Sequence, residues 1–207
     1  MSRQNPPPTN SSAGESTLYF AYGSNLSLSQ MANRCPNSKY MGRAILDDYK
    51  WIINERRYAN IVPAPGHRVE GLVFELGRDD EKRLDRSEGV SKGAYGKENH
   101  VARVYLSPTL LYRVPTVSII RDGGPESVID NAKCEGKDVT ENMASLEMSV
   151  LVYVDGKRVG HGSPWEEYVG RIKTGVVDAV ALGVDSSYFS SSVLPLLLEK
   201  EIDTHVS

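Results

Sequence analysis

The order of apolar and polar positions lays out the elements of this chain. Leu18, Phe20 and Tyr22 alternate with Tyr19 and Ala21, the period-2 pattern of a strand over residues 17–22. Gly23 breaks it. Ser27-Leu28-Ser29-Gln30 then fits a capping box, with Ser27 at N-cap and Gln30 at N3 of a short helix that Cys35-Pro36 ends. Residues 44–53 read as one or two strands and 54–58 as a loop. Residues 59–62 read as a short strand stopped by Pro63, Pro65-Gly66 as a turn, and 69–76 as the clearest strand of the first half. Residues 79–87 predict a charged helix anchored by Leu84 and ending at Glu88-Gly89, where glycine suits the position past a helix end.

Residues 101–106 and 149–154 predict two more strands, the second closed by Asp155-Gly156, a hairpin signal. Between them, 110–120 could make a strand, 122–125 a turn and 127–134 a short helix, with a polar loop up to Asn142. Ser163-Pro164-Trp165-Glu166 reads as N-cap, proline at N1 and glutamate at N3. Trp165, Tyr168, Val169, Ile172, Val176 and Val180 follow at helical spacing as far as Gly183. A last helix is expected over 187–200, with a kink or a restart at Pro195. Strands and helices mix without strict alternation, which argues an α+β domain with a curled or closed sheet rather than a doubly wound one.

Composition narrows this further. The 207 residues suit one domain, expected over 17–200 between a disordered tail at 1–16 and a short tail at 201–207. A net charge of -3 provides no electrostatic footprint for nucleic acid, and no apolar run is long enough to span a bilayer. With two cysteines, no metal spacing and no apolar leader core, a reducing, cytoplasmic setting is the default expectation.

Two places carry candidate chemistry. The turn from Gly23 to Leu26 leaves backbone N–H groups at a helix start, where they can hold an anion or a developing oxyanion. Ser24 and Asn25 add side-chain donors. An ordinary strand-to-helix connection would look the same. Glu88 sits at a helix C-terminus, where the dipole disfavours a carboxylate and burial would raise its pKa toward that of a usable base. The alternative is a solvated helix end. His67, His100, His161 and His205 lie in polar, loop-like stretches and have no nucleophile partner in a recognised motif.

Tyr22-Gly23-Ser24-Asn25-Leu26 after a strand, with Glu88-Gly89-Val90 and Tyr95 downstream, resembles the γ-glutamylcyclotransferase family, whose wider superfamily includes AIG2-like and γ-glutamylamine cyclotransferase proteins. The resemblance covers most of the chain apart from the tails and 107–148. It implies a β-barrel-like mixed sheet with flanking helices. It also implies that a γ-glutamyl substrate cyclises to 5-oxoproline and releases an amine without metal or cofactor. Glu88 matches the family's catalytic glutamate, Tyr22, Gly23, Ser24, Asn25 and Leu26 its substrate-holding turn, and Tyr95 and Tyr168 its pocket tyrosines. Residues 107–148 form a longer link than simple members have. It resembles that of the cyclotransferase-like proteins of fungal secondary metabolism, which act on glutathione-derived conjugates, and is expected to border the pocket. The alternative within the superfamily is a binding module that has lost the chemistry.

Overall fold

Five strands close on themselves. In the computed structural model, which describes residues 16–136 and 144–198, β1 (Thr17–Ala21), β2 (Lys39–Ile53), β3 (Ala59–Leu76), β4 (Gly96–Leu106), β5 (Val114–Pro115) and β6 (Ser145–Val154) form one sheet. Its order is β3-β1-β6-β4-β2, and β2 pairs back onto β3 to complete a barrel, with β5 added at Lys39 and Tyr40. Every pairing is antiparallel except β1 with β6, which meet at Tyr19 and Leu151. The expected tails lie outside the described residues except for Ser16, as do residues 137–142 of the expected loop and the last two of the final helix.

The α+β class and the closed sheet agree with the sequence reading, while several boundaries differ. The first strand ends at Ala21, one residue early. β3 runs straight through Pro63 and through the predicted turn at Pro65-Gly66. The register jumps there from Asp47 opposite Arg68 to Tyr49 opposite Pro63. Asp48 and Gly66 take φ of 62° and 79°, and the Gly66 amide donates to Asp48 Oδ1 at 2.8 Å. The turn signal thus marks a bulge, where proline's missing donor does no harm. β4 reaches back to Gly96 through charged residues, because Lys97 is held by ion pairs to Glu81 and Asp85 on the solvent face.

Helices α1 (Leu28–Arg34), α2 (Arg78–Ser87), α3 (Thr116–Arg121), α4 (Pro125–Cys134) and α5 (Glu166–Ala181) flank the barrel. Its core is led by the fully buried Phe20, Tyr40, Trp51 and Phe74. The strand expected over 110–120 is a correction: only Val114 and Pro115 pair, and Thr116 turns the chain into α3. Ser38 fixes that turn, its carbonyl accepting from the Thr116 amide at 2.9 Å and its hydroxyl meeting the Thr116 hydroxyl at 2.9 Å. α3 packs on α1 and α4 on α5.

α5 starts later than the Ser163 cap predicts. Trp165 is the N-cap, and it is 45% exposed with the Arg57 guanidinium 4.0 Å above its ring. The Ser163 carbonyl instead accepts from Arg57 Nε at 2.8 Å. The buried stripe of α5 is Tyr168, Ile172, Gly175 and Ala179, rather than one through Val176 and Val180. The final helix begins at Ser186 and widens into a π-turn over Phe189–Val193. The turn lies just ahead of Pro195, which cannot serve the carbonyl four residues back.

Candidate active site

The site begins where the chain leaves β1. Tyr22 is pinned at both ends: its hydroxyl donates to the Tyr153 carbonyl at 2.6 Å, and its carbonyl accepts from Trp51 Nε1 at 3.0 Å. Gly23 comes next, where a Cβ would lie 3.2 Å from Ala59 Cβ and 3.3 Å from the Tyr168 hydroxyl. Ser24–Leu26 forms one 3-10 turn, closed by the Leu26 amide on the Gly23 carbonyl at 3.0 Å. From the other side α5 presses Gly175 against it. A Cβ on Gly175 would stand 2.8 Å from Leu26 Cβ and 2.9 Å from the Ser27 nitrogen. The helix can come this close only because residue 175 has no side chain.

Asn25 is the hub of the polar network around this turn. Its Nδ2 donates to the Tyr19 hydroxyl at 2.8 Å and to Glu88 Oε1 at 3.0 Å. Its Oδ1 accepts from Gln30 Nε2 at 2.8 Å and from Arg34 Nη1 at 2.9 Å. Gln30 Nε2 also reaches Ser24 Oγ at 2.7 Å. The capping box is therefore only half built. Ser27 Oγ accepts from the Gln30 amide at a long 3.5 Å, while the Gln30 side chain turns to brace the site.

Glu88 arrives from the opposite direction as the C-cap of α2. Gly89 follows in the left-handed region at φ 66° and turns the chain off the helix axis. The carboxylate is 15% exposed. Arg34 Nη1 donates to Oε1 at 3.0 Å, beside Asn25, and among the described residues no donor is found on Oε2. Burial raises the Glu88 pKa above the ordinary glutamate value. Arg34, the Asn25 hydrogen bond, Arg56 and Arg171 oppose that rise in decreasing order. Burial, rather than the helix end to which the sequence reading looked, is the leading cause of that rise.

Two tyrosines frame the opening. The Tyr95 hydroxyl donates to the Ala59 carbonyl at 2.7 Å, and the Tyr168 hydroxyl accepts from the Ala59 amide at 3.2 Å. Burial pushes Tyr95 well above its usual range and Tyr168 up to about 12, so both stay protonated near neutral pH. Ser24, Glu88, Tyr95 and Tyr168 line both an inner recess of ≈ 30 Å³ and an outer vestibule of ≈ 350 Å³.

Of the residues singled out in the sequence, the structure gathers Tyr22, Gly23, Ser24, Asn25, Glu88, Tyr95 and Tyr168 around the recess. Leu26 lines neither cavity. It is buried under α5 and anchors the turn. Nor do residues 107–136 line them: that link stands behind α1 and α5 rather than at the mouth. Sequence reading missed Tyr19, Gln30, Arg34, Arg56 and Arg171. Gln30 and Arg34 carried a signal, since polar residues at i and i+4 share the face of the helix directly after the turn. Arg171 stands likewise at i+3 from Tyr168.

The sequence profile described as Gamma-glutamyl cyclotransferase, AIG2-like, matches residues 19–119. The chain is 35% identical over 92 residues to the gamma-glutamylcyclotransferase of Bos taurus, covering 40% of this chain and 49% of that one. The corresponding protein of Homo sapiens is 34% identical over 91 residues, covering 39% and 48%. The chain thus spans about half the length of the curated relatives it matches. Among solved structures, a gamma-glutamyl cyclotransferase superposes with a TM-score of 0.60 at 20% identity over 93% of both chains. The uncharacterized protein loc79017 from Homo sapiens superposes at 0.58 with 22% identity over the same shares. These two likenesses establish the fold, including α5, which lies beyond the profile match.

Proposed function

We propose that this chain, whose residues 19–119 match the Gamma-glutamyl cyclotransferase, AIG2-like profile, acts as a member of that family and that its pocket cyclises the γ-glutamyl group of a peptide, amine or glutathione-derived conjugate to 5-oxoproline. The observation that carries this reading is Glu88, mostly buried on the wall common to recess and vestibule, with Oε1 held by Asn25 and Arg34 and no donor on Oε2 among the described residues. The unprotonated α-amine of the substrate attacks its own γ-carbonyl. Glu88 takes the proton from that nitrogen as the new C–N bond forms. It returns the proton to the departing nitrogen as the old amide C–N bond breaks, so the carboxylate ends as it began.

The amides of Gly23, Ser24 and Asn25 open the turn and are the donors assigned to the developing oxyanion. The Leu26 amide is excluded, because the Gly23 carbonyl holds it. Ring closure is intramolecular, so keeping the glutamyl arm folded supplies much of the rate. Tyr22, Tyr95 and Tyr168 are the walls that hold it. The test is to incubate the protein with γ-glutamyl dipeptides, a γ-glutamylamine and a glutathione S-conjugate and to measure 5-oxoproline by mass spectrometry. No 5-oxoproline from any of them would overturn the reading. Tight binding of 5-oxoproline without turnover would favour a binding module instead.

A further inference from the structure

Tyr153 of β6 lines the recess but not the vestibule, and it touches both halves of the site. On the side of the turn, its carbonyl accepts from the Tyr22 hydroxyl at 2.6 Å, and its ring meets Tyr19 edge-on with centroids 5.7 Å apart. Tyr19 is the residue whose hydroxyl accepts from Asn25. On the side of α2, the Tyr153 hydroxyl donates to Asp85 Oδ1 at 2.6 Å. A buried phenol needs such a partner, and a bond to a carboxylate is of the strong, charge-assisted kind. Asp85 stands in the last turn of α2, three residues before Glu88. Lys97 lies directly opposite Tyr153 across β4 and β6, and pairs with Asp85 at 3.2 Å and with Glu81. Thr17 of β1 donates to Glu81 as well. Burial and the Asp85 contact push the Tyr153 pKa well above its usual range, so the donor keeps its proton.

Resting on the cyclotransferase reading, we infer that Tyr153 and Asp85 are a positioning pair that fixes the end of α2, and with it Glu88, against Asn25. Asn25 and Glu88 belong to separate elements and meet through one 3.0 Å hydrogen bond. Tyr153 supplies a second route between them, from Asn25 through Tyr19 and Tyr153 to Asp85, one helical turn from Glu88. Both partners of Glu88 Oε1, Asn25 and Arg34, stand at 3.0 Å. A drift of the helix end by about 0.6 Å would take both beyond hydrogen-bond length. The pair acts through Glu88 and not on the substrate, because the Tyr153 hydroxyl is spent on Asp85.

The test is Tyr153→Phe, which keeps the ring against Tyr19 and the carbonyl for Tyr22 and removes only the hydroxyl. It changes no charge around Glu88: Arg34 of α1, Arg56 of the β2–β3 loop and Arg171 of α5 remain, and Tyr19, Tyr95 and Tyr168 keep their protons. In 5-oxoproline release kcat should fall by about tenfold, the scale of one hydrogen bond to a charged group, with KM little changed. The acid limb of kcat/KM should move to higher pH. Asn25 and Arg34 hold the Glu88 pKa down, and a small drift weakens them before it wets the carboxylate. Asp85→Ala should lower kcat alike, and Asp85→Asn, which still accepts from the phenol, should restore most of it. Lys82→Gln, on the exposed face of α2, should change nothing. An unchanged kcat or an unmoved acid limb in folded Tyr153→Phe, or a raised KM with unchanged kcat, would overturn the pair and leave the cyclisation reading standing. If Tyr153→Phe does not fold, the Asp85 variants decide: loss in Ala with recovery in Asn supports the pair, and equal kcat in the two refutes it. If no γ-glutamyl substrate yields 5-oxoproline, the cyclisation reading fails, and an NMR titration of the Glu88 carboxyl decides the pair. A pKa higher in Tyr153→Phe than in wild type supports it, and an equal or lower one refutes it.

Discussion

Replacing Glu88 by Gln separates proton transfer from everything else the residue does. The amide oxygen can accept the same two hydrogen bonds, from Asn25 Nδ2 and Arg34 Nη1, both 3.0 Å from Oε1 in the native site. What disappears is the charge. The sign of its stability effect comes from the raised pKa. An acid whose pKa is higher folded than unfolded costs stability once pH exceeds the unfolded value, and the cost is complete above the folded value. At neutral pH a neutral isostere escapes that cost, against which stands the lost pairing with a partly exposed Arg34. The melting temperature should accordingly move little, within about 4 °C, the shift expected for ~1 kcal/mol in a chain of this size. Turnover should fall by about 10²–10⁴, the range for general acid–base catalysis, equivalent to roughly 3–5 kcal/mol of barrier. The assay is 5-oxoproline release with kcat and KM fitted separately across pH. Wild-type kcat/KM should rise through an acid limb lying above 4.5, the ordinary glutamate value, and the variant should lose that limb. A folded variant with unchanged kcat would remove Glu88 from the mechanism. A raised KM with unchanged kcat would make it a counter-charge for the substrate's ammonium.

Gly175→Ala should destabilise although alanine is the better helix former, because its Cβ would meet Leu26 Cβ at 2.8 Å and the Ser27 nitrogen at 2.9 Å. Overpacking of about 1–3 kcal/mol corresponds to a melting point lower by roughly 2–12 °C, and a neutral or higher value in calorimetry would show that α5 does not clamp the turn. The native protein should titrate one thiol, the exposed Cys134. Cys35 is buried, its Sγ 3.5 Å from the Asp80 carbonyl, and burial pushes its pKa up to about 12. Two fast thiols before denaturation would contradict that burial.

What was legible in the sequence is what local patterns encode. The strand before Gly23 and the charged helix that runs up to Glu88-Gly89 are local and stand within a residue of where they were expected, and α5 exists as expected although its start and buried stripe differ. Readings failed where tertiary pairing overrode local signals. Pro63 and Gly66 look like strand breakers until a partner strand carries a bulge opposite them. Val117, Ile119 and Ile120 suit a strand by composition, yet the Ser38–Thr116 contact starts a helix there. Nothing local groups the cations of the vestibule with one another, since Arg34, Arg56 and Arg171 come from a helix, a hairpin loop and a second helix that only the tertiary fold brings to one cavity.

The two short motifs work as a pair because they are two sides of one contact. Asn25 and Glu88 stand 63 residues apart in sequence and meet at 3.0 Å. Each neighbour in the first motif solves a separate part of delivering Asn25. Tyr22 ties the strand end to Tyr153, Gly23 clears Ala59 and Tyr168, and Ser24 accepts the Gln30 amide that also fixes Asn25 Oδ1. In the second motif Gly89 does for Glu88 what Gly23 does for the turn. At φ 66°, with a hypothetical Cβ only 3.0 Å from Ala94 Cβ, it is the residue that lets α2 stop with its last carboxylate aimed inward. Asn25 contributes position rather than charge, holding Oε1 and leaving Oε2 without a donor among the described residues. Arg34 then opposes the pKa rise that burial imposes, from the same side and through the same oxygen. A substitution on either side of this contact therefore disturbs the other, and Asn25→Ala and Glu88→Gln should be strongly non-additive in kcat.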